Sequence, residues 1–187
     1  MVVPYQGQQI DLSPPWRRVS MNDLVKETTG VDFYPFILAQ DLEGARRAAN
    51  ETAHLSLDLL AGFKSAGEIL NCVFEHRCES KLIQPTFVTD QPVEVSPLAK
   101  PHRTQKGLVE RFEMFMVGRE HANAFSELTD PIDQRERFEE QSQLLERGGE
   151  IRQGGGAHVR TMGIAEENGD HLALETRQRA RLAVVVG

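Results

Sequence analysis

The chain has 187 residues, of which 40% are hydrophobic and 26% are charged, a composition typical of one folded domain and not of a disordered or fibrous chain. Its longest apolar run, residues 182–186, is far shorter than the ~20 residues that cross a bilayer, and its first residues do not resemble a signal peptide. The net charge of −7 disfavours a broad nucleic-acid-binding surface, which needs clustered cations. We therefore expect a cytoplasmic protein whose two cysteines, Cys72 and Cys78, are free thiols.

Helices are predicted to dominate the first half of the chain. Residues 1–19 are expected to be extended, because each of two consecutive prolines disfavours the helical conformation in the residue before it. A first helix is predicted to begin after the N-cap Ser20 and to end at Gly30. Two further helices are predicted over residues 41–60 and 65–80, the latter with apolar residues at four-residue spacing.

Strands are predicted for the part of the chain that follows Pro85. Residues 111–117 alternate, with Phe112, Met114 and Met116 on one side and Glu113 on the other. A second strand is predicted over residues 122–128.

A helix is predicted next, with Asp130 as its N-cap, Pro131 at its first position and an end near Arg147. The glycines from Gly148 onward predict a boundary between a domain at residues 1–147 and a poorly ordered tail at residues 148–187.

A strand over residues 122–128 places Asn123, Phe125 and Glu127 on one face. An amide, an aromatic ring and a carboxylate together suit an organic cation, through charge pairing and ring contact. The alternative is a solvated strand face, because any half-exposed strand shows the same alternation.

Glu113 and Glu120 form a second candidate set. Two carboxylates that converge suit Mg²⁺, which proteins commonly hold with one or two carboxylates and substrate phosphates. The alternative is an exposed pair of glutamates.

Two other chemistries are not expected. Cys72 and His76 share a helical face, but structural zinc needs four ligands and the sequence offers no matching pair. Ser96 lacks the glycines of a nucleophile elbow. No residue is therefore assigned a catalytic role.

Residues 8–147, which are most of the chain, resemble the class II lysyl-tRNA synthetases. The resemblance is carried by long collinear segments: Leu-Ile-Gln-Pro-Thr-Phe at 82–87, Glu-Val-Ser-Pro-Leu-Ala-Lys at 94–100, Arg-Phe-Glu at 111–113, Gly-Arg-Glu at 118–120, Asn-Ala-Phe-Ser-Glu-Leu at 123–128, and Gln-Arg-Glu-Arg-Phe-Glu-Glu-Gln at 134–141. It implies an α+β domain, with an antiparallel sheet flanked by helices.

The resemblance also implies the roles of the candidate residues. Glu113 and Glu120 match glutamates that place ATP and its Mg²⁺, and Asn123, Phe125 and Glu127 match residues that line the lysine pocket. The related aspartate-specific enzymes carry an arginine where Glu127 stands, and a carboxylate there suits an ammonium group instead.

The implied reaction joins lysine to ATP, giving lysyl-adenylate and pyrophosphate, and then passes lysine to tRNA in a homodimeric enzyme. The sequence is expected to start after the family's first two signature motifs and to lack its closing motif and anticodon-binding domain, so this fragment is expected to be inactive alone. The alternative is a non-catalytic, synthetase-like binding protein or a truncated product. A mitochondrion or plastid remains the alternative to the cytoplasm.

Overall fold

The computed structural model describes residues 1–139, which lie within one compact unit, Met1–Leu144. The predicted boundary near Gly148 and the tail at 148–187 lie outside the described residues. The strands are β1 (Val2–Tyr5), β2 (Gln8–Asp11), β3 (Arg17–Ser20), β4 (Thr86–Pro92), β5 (Leu108–Met116) and β6 (Arg119–Phe125). The helices are α1 (Met21–Thr29), α2 (Tyr34–Ala39), α3 (Leu42–Ala53), α4 (Leu57–Leu60) and α5 (Ala66–Arg77), with 3₁₀ turns at Glu79–Lys81 and Val93–Val95. Residues 131–139 are also helical.

The described strands form a hairpin of β1 and β2 and a four-stranded sheet in the order β3-β4-β5-β6. The α+β class is confirmed. The sheet is mixed, however, because β3 runs parallel to β4 while the other neighbours are antiparallel. A parallel pair needs a long crossover connection, and α1 to α5 supply it between β3 and β4.

The helices begin and end largely where their capping residues predict. The side chain of Ser20 accepts a hydrogen bond from the Asp23 amide at the start of α1, and Gly30 closes the helix in the left-handed region. A reciprocal pair of hydrogen bonds between Ser65 and Glu68 caps α5.

The region between α1 and α5 differs from the prediction of one helix over residues 41–60. That helix is broken after α3, where His54 adopts a φ of 50° and the chain turns before the four-residue α4. The sequence pattern also missed α2, which has Pro35 at its N-terminal end, where a proline's missing N–H is tolerated.

The two predicted strands of the site are real but begin three residues earlier than expected. They meet in a two-residue turn at Val117 and Gly118, where both φ angles are positive, 56° and 66°. A side chain at Gly118 would place its Cβ 3.2 Å from the backbone of Ser80. The turn therefore ends β5 at Met116, before the last residue of the predicted strand.

The more buried face of β5 is the one that carries Glu113, so Glu113 is not the exposed glutamate that the alternative to a Mg²⁺ site describes. Arg111, Glu113 and Phe115 are buried on the face that the helices cover, where the Phe115 ring lies 5.4 Å from that of Phe74 in α5. Phe112, on the other face, is half-buried and packs edge-on against Phe87. The two charged residues on this buried face, Arg111 and Glu113, are paired with each other, which offsets part of the cost of burying them.

Candidate functional site

The register of β5 and β6 brings the two candidate sets onto one face of the sheet. Glu113 pairs directly with Asn123, and Arg111 pairs with Phe125. Directly opposed residues in an antiparallel pair point to the same side. Glu127 continues this alternation beyond the end of β6, in an isolated bridge to Ala99.

The site has a buried half and an open half. Glu113 on β5 is 7% exposed, whereas every residue of the edge strand β6 is exposed. Phe125 is 36% exposed, and Glu120 and Glu127 are exposed as well. Among the described residues, a ligand would therefore be shielded from water where it contacts β5 and open to water where it contacts β6.

Arg111 is the central polar residue of the site, and the sequence reasoning assigned it no role. Its side chain is 5% exposed, and its Nη2 atom lies 2.5 Å from Oε1 of Glu113. Nη1 donates to Oγ of Ser96 at 2.9 Å and to the carbonyl oxygen of Val95 at 3.2 Å, and Nε donates to Oδ1 of Asn123 at 3.2 Å. The available signal was the spacing of two between Arg111 and Glu113, which places opposite charges on one strand face.

Burial raises the pKa of Glu113 above its usual value, and the Arg111 guanidinium opposes that shift. The negative charge of Glu120 also raises the pKa of Glu113. The amide of Gln91 lowers it, although the buried Nε2 atom of Gln91 makes no hydrogen bond of ordinary length to a described residue. A cation between Glu113 and Glu120 would offset the repulsion between their charges, and carboxylate oxygens are ligands that Mg²⁺ accepts.

The three residues for which no metal or nucleophilic role was expected, Cys72, His76 and Ser96, make contacts of other kinds. Nδ1 of His76 lies 2.9 Å from the carbonyl oxygen of Cys72, and burial raises the pKa of the Cys72 thiol to about 12. The thiolate that a metal requires is thus disfavoured. Within residues 1–139, no group of three or more His, Cys, Asp and Glu side chains is placed to hold a metal ion. Ser96 is buried and accepts a hydrogen bond from Arg111.

Comparisons with known proteins agree with this arrangement. The family model of tRNA synthetases class II (D, K and N) matches residues 2–151, which is most of the chain and includes every residue of the site. The chain belongs to the class II tRNA synthetases. No helix among the described residues of this synthetase chain is long and apolar enough to span a membrane.

Three relatives that this class II chain resembles are each called a lysine–tRNA ligase. The chain is 61% identical to that of Nostoc sp. and 60% identical to that of Trichormus variabilis over 140 residues, which is 75% of this chain and 24% of each relative. It is 59% identical to that of Thermosynechococcus vestitus, covering 75% of this chain and 26% of the relative. This chain therefore spans about a quarter of the length of the curated relatives it matches.

Proposed function

We propose that this chain is the lysine-binding and magnesium-binding part of a lysine–tRNA ligase. The observation that carries the proposal is the cross-strand pairing of Glu113 with Asn123, which puts both candidate sets on one face. The names of relatives that are 59–61% identical support lysine as the amino acid.

The polar groups of the site suit the two ends of lysine. The Asn123 oxygen accepts from Arg111, so the amide N–H groups are left to donate to a ligand oxygen. The Glu127 carboxylate suits the side-chain ammonium, and the Phe125 ring suits the aliphatic stem between them. Aspartate would bring its own carboxylate to Glu127, so like-charge repulsion disfavours it.

Glu113 and Glu120 are the proposed ligands of Mg²⁺ and thereby the contacts to ATP. When bound, the ion would supply positive charge to the phosphates. The two carboxylates alone would repel the nucleotide. Arg111 is the only lysine or arginine of β5 and β6 on this face, and its charge is paired with Glu113.

The activity of the whole protein is part of the same proposal. It forms lysyl-adenylate from lysine and ATP and transfers lysine to tRNA, as a homodimer in the cytoplasm, with a mitochondrion or plastid as the alternative. Positioning and charge stabilisation account for such a reaction without a covalent enzyme intermediate.

Amino-acid binding to the 187-residue chain tests the proposal. The chain is titrated with lysine, asparagine and aspartate while the NMR signals of the Asn123 and Phe125 backbone amides are followed. These signals should shift at a lower concentration of lysine than of either other amino acid. A dissociation constant of about 1 mM or weaker is expected, because the exposed ion pair adds only about 0–1 kcal/mol to the ~4 kcal/mol that millimolar binding requires. An equal response to all three amino acids would contradict the assignment of the lysine pocket.

A non-catalytic, synthetase-like binding protein is the second candidate. The exposure of all of β6 favours it, since an open edge strand can pair with another chain. A titration in which the amides of Asn123 and Phe125 show no preference for lysine would support this candidate, because the main proposal requires that preference.

A further inference from the structure

The Arg111 side chain touches both halves of the proposed site. Its guanidinium is held by Glu113 and Ser96 in the buried half, and its Nε reaches across to Asn123 on the exposed strand β6. Neutralising a buried arginine requires only the Glu113 carboxylate. The contact with Asn123 adds no charge pairing, because Asn123 is neutral, but it gives the Nε–H group of Arg111 an acceptor and links the buried strand to the exposed one.

Arginine determines which way the Asn123 amide faces. A guanidinium has donors and no acceptor, so the atom of Asn123 that meets Nε must be the carbonyl oxygen. The amide nitrogen then points away from Arg111. Because Asn123 is exposed, its two N–H groups are open to a ligand.

We propose that Arg111 is a positioning residue of the amino-acid site, which holds Asn123 in the orientation that donates to the ligand and joins it to the buried Glu113. This inference rests on the proposed function, because the ligand is the amino acid proposed above. A lysine side chain at position 111 cannot replace arginine in this role. Its single ammonium group does not span acceptors as widely separated as those on Glu113, Ser96 and Asn123.

The test combines the substitutions R111K and N123A, alone and together, in the 187-residue chain. The matched control is R103K, because Arg103 also pairs with a glutamate of β5, Glu110, but is 78% exposed. We expect R111K to weaken lysine binding about tenfold, the equivalent of one well-formed hydrogen bond to a ligand. In the N123A background the same change should alter binding less than twofold, because residues that act through one contact are not additive. R103K should leave binding unchanged.

A second measurement needs no ligand and no change at the buried residue. In N123A, which alters only the exposed strand, the NMR signal of the Arg111 Nε–H should move toward the position of a solvated guanidinium. The side-chain amide signals of Asn123 should move in R111K in the same way. Neither shift is expected in R103K.

The outcomes separate this inference from the proposed function. A tenfold loss from R111K that persists in full in the N123A background, or an Arg111 Nε–H signal that does not respond to N123A, would overturn the positioning role. In a third outcome, the Arg111 and Asn123 signals respond to each other's substitution but the wild-type chain does not bind lysine. That result would count against the proposed function and leave the Arg111–Asn123 contact supported.

Discussion

Glu127 is the residue whose charge should decide between lysine and its competitors. Its carboxylate is exposed in the described structure, so its pairing with the lysine ammonium is only partly desolvated. Glu127→Gln keeps the shape and removes the charge, and we expect it to weaken lysine binding by the 187-residue chain by up to about fivefold, or about 1 kcal/mol. The measurement is the same chemical-shift titration.

Glu136→Gln is the control for this substitution, because Glu136 is also exposed but lies in the helix at residues 131–139. It should leave lysine binding unchanged. Small and equal effects of the two substitutions would mean that the Asn123, Phe125 and Glu127 face is solvated surface.

Glu110 belongs to the opposite face of β5, where its carboxylate accepts hydrogen bonds from Arg103 and Ser126. Hydrogen bonds from Arg103 and then from Ser126 lower the pKa of Glu110 to about 2. Because the pKa is lowered by folding, the ion pair stabilises the chain above the ordinary glutamate range, and this contribution is lost as pH falls through that range toward 2. Arg103→Gln should raise the Glu110 midpoint in a carboxyl NMR titration.

Arg17→Gln provides the comparison, since it removes the cation of a different ion pair, with Glu27. It should not move the Glu110 midpoint. If Arg103→Gln also left it unmoved, the Arg103–Glu110 hydrogen bonds would not persist in solution.

At the scale of elements, Gly67 allows α5 to approach the end of β4. A Cβ at this position would lie 2.8 Å from Cβ of the fully buried Pro92 and would also collide with Glu94. Gly67→Ala should therefore lower the free energy of unfolding by about 1–2 kcal/mol, because overpacking outweighs the better helix propensity of alanine. Urea unfolding measures it.

Gly62→Ala is the matched control, because nothing lies within 4 Å of its added Cβ and its φ lies outside the left-handed region. It should change stability by less than about 1 kcal/mol, in the stabilising direction. A Gly67→Ala variant as stable as Gly62→Ala would show that α5 has room to move away from Pro92.

Capping residues in the sequence predicted those helix ends that are set by local hydrogen bonds and backbone angles. Ser20, Gly30 and Ser65 mark helix ends through hydrogen bonds and φ values that are short-range properties, and they were read correctly. The break at His54 could not be predicted in the same way. A non-glycine residue adopts a positive φ only where the surrounding structure requires it.

The strand faces of the candidate residues were predictable, and the burial of those faces was not. Alternation alone grouped Asn123 with Phe125, and the observed register adds Glu113 to that face. Which face of β5 is covered depends on helices that lie far away in sequence, so the burial of Glu113 could not be inferred from the strand. The role of Arg111 depends on that burial and was missed for the same reason.

At the scale of the whole molecule, the charge of the described face opposes a nucleotide. Glu113, Glu120 and Glu127 are set against the single paired cation Arg111 on β5 and β6. We therefore expect the 187-residue chain to show no measurable lysine-dependent exchange of pyrophosphate into ATP, because stabilising the triphosphate needs unpaired cations. Robust exchange would contradict this and would require a cation source elsewhere in the chain.

A chimera supplies the complementary experiment. Residues 8–139 of this chain would replace the matching segment of the Nostoc sp. lysine–tRNA ligase, with which it shares 61% identity. The chimera should catalyse the exchange.

If the surrounding protein desolvates Glu127, Glu127→Gln in the chimera removes one partner of a buried charge pair, which costs about 3–5 kcal/mol. That corresponds to a loss on the order of a hundredfold or more in kcat/KM for lysine, against at most about fivefold in the binding constant of the 187-residue chain. Glu136→Gln should leave both unchanged. A fivefold loss in the chimera as well would mean that Glu127 stays solvated in the complete enzyme, and the ammonium of lysine would have to be recognised by another group.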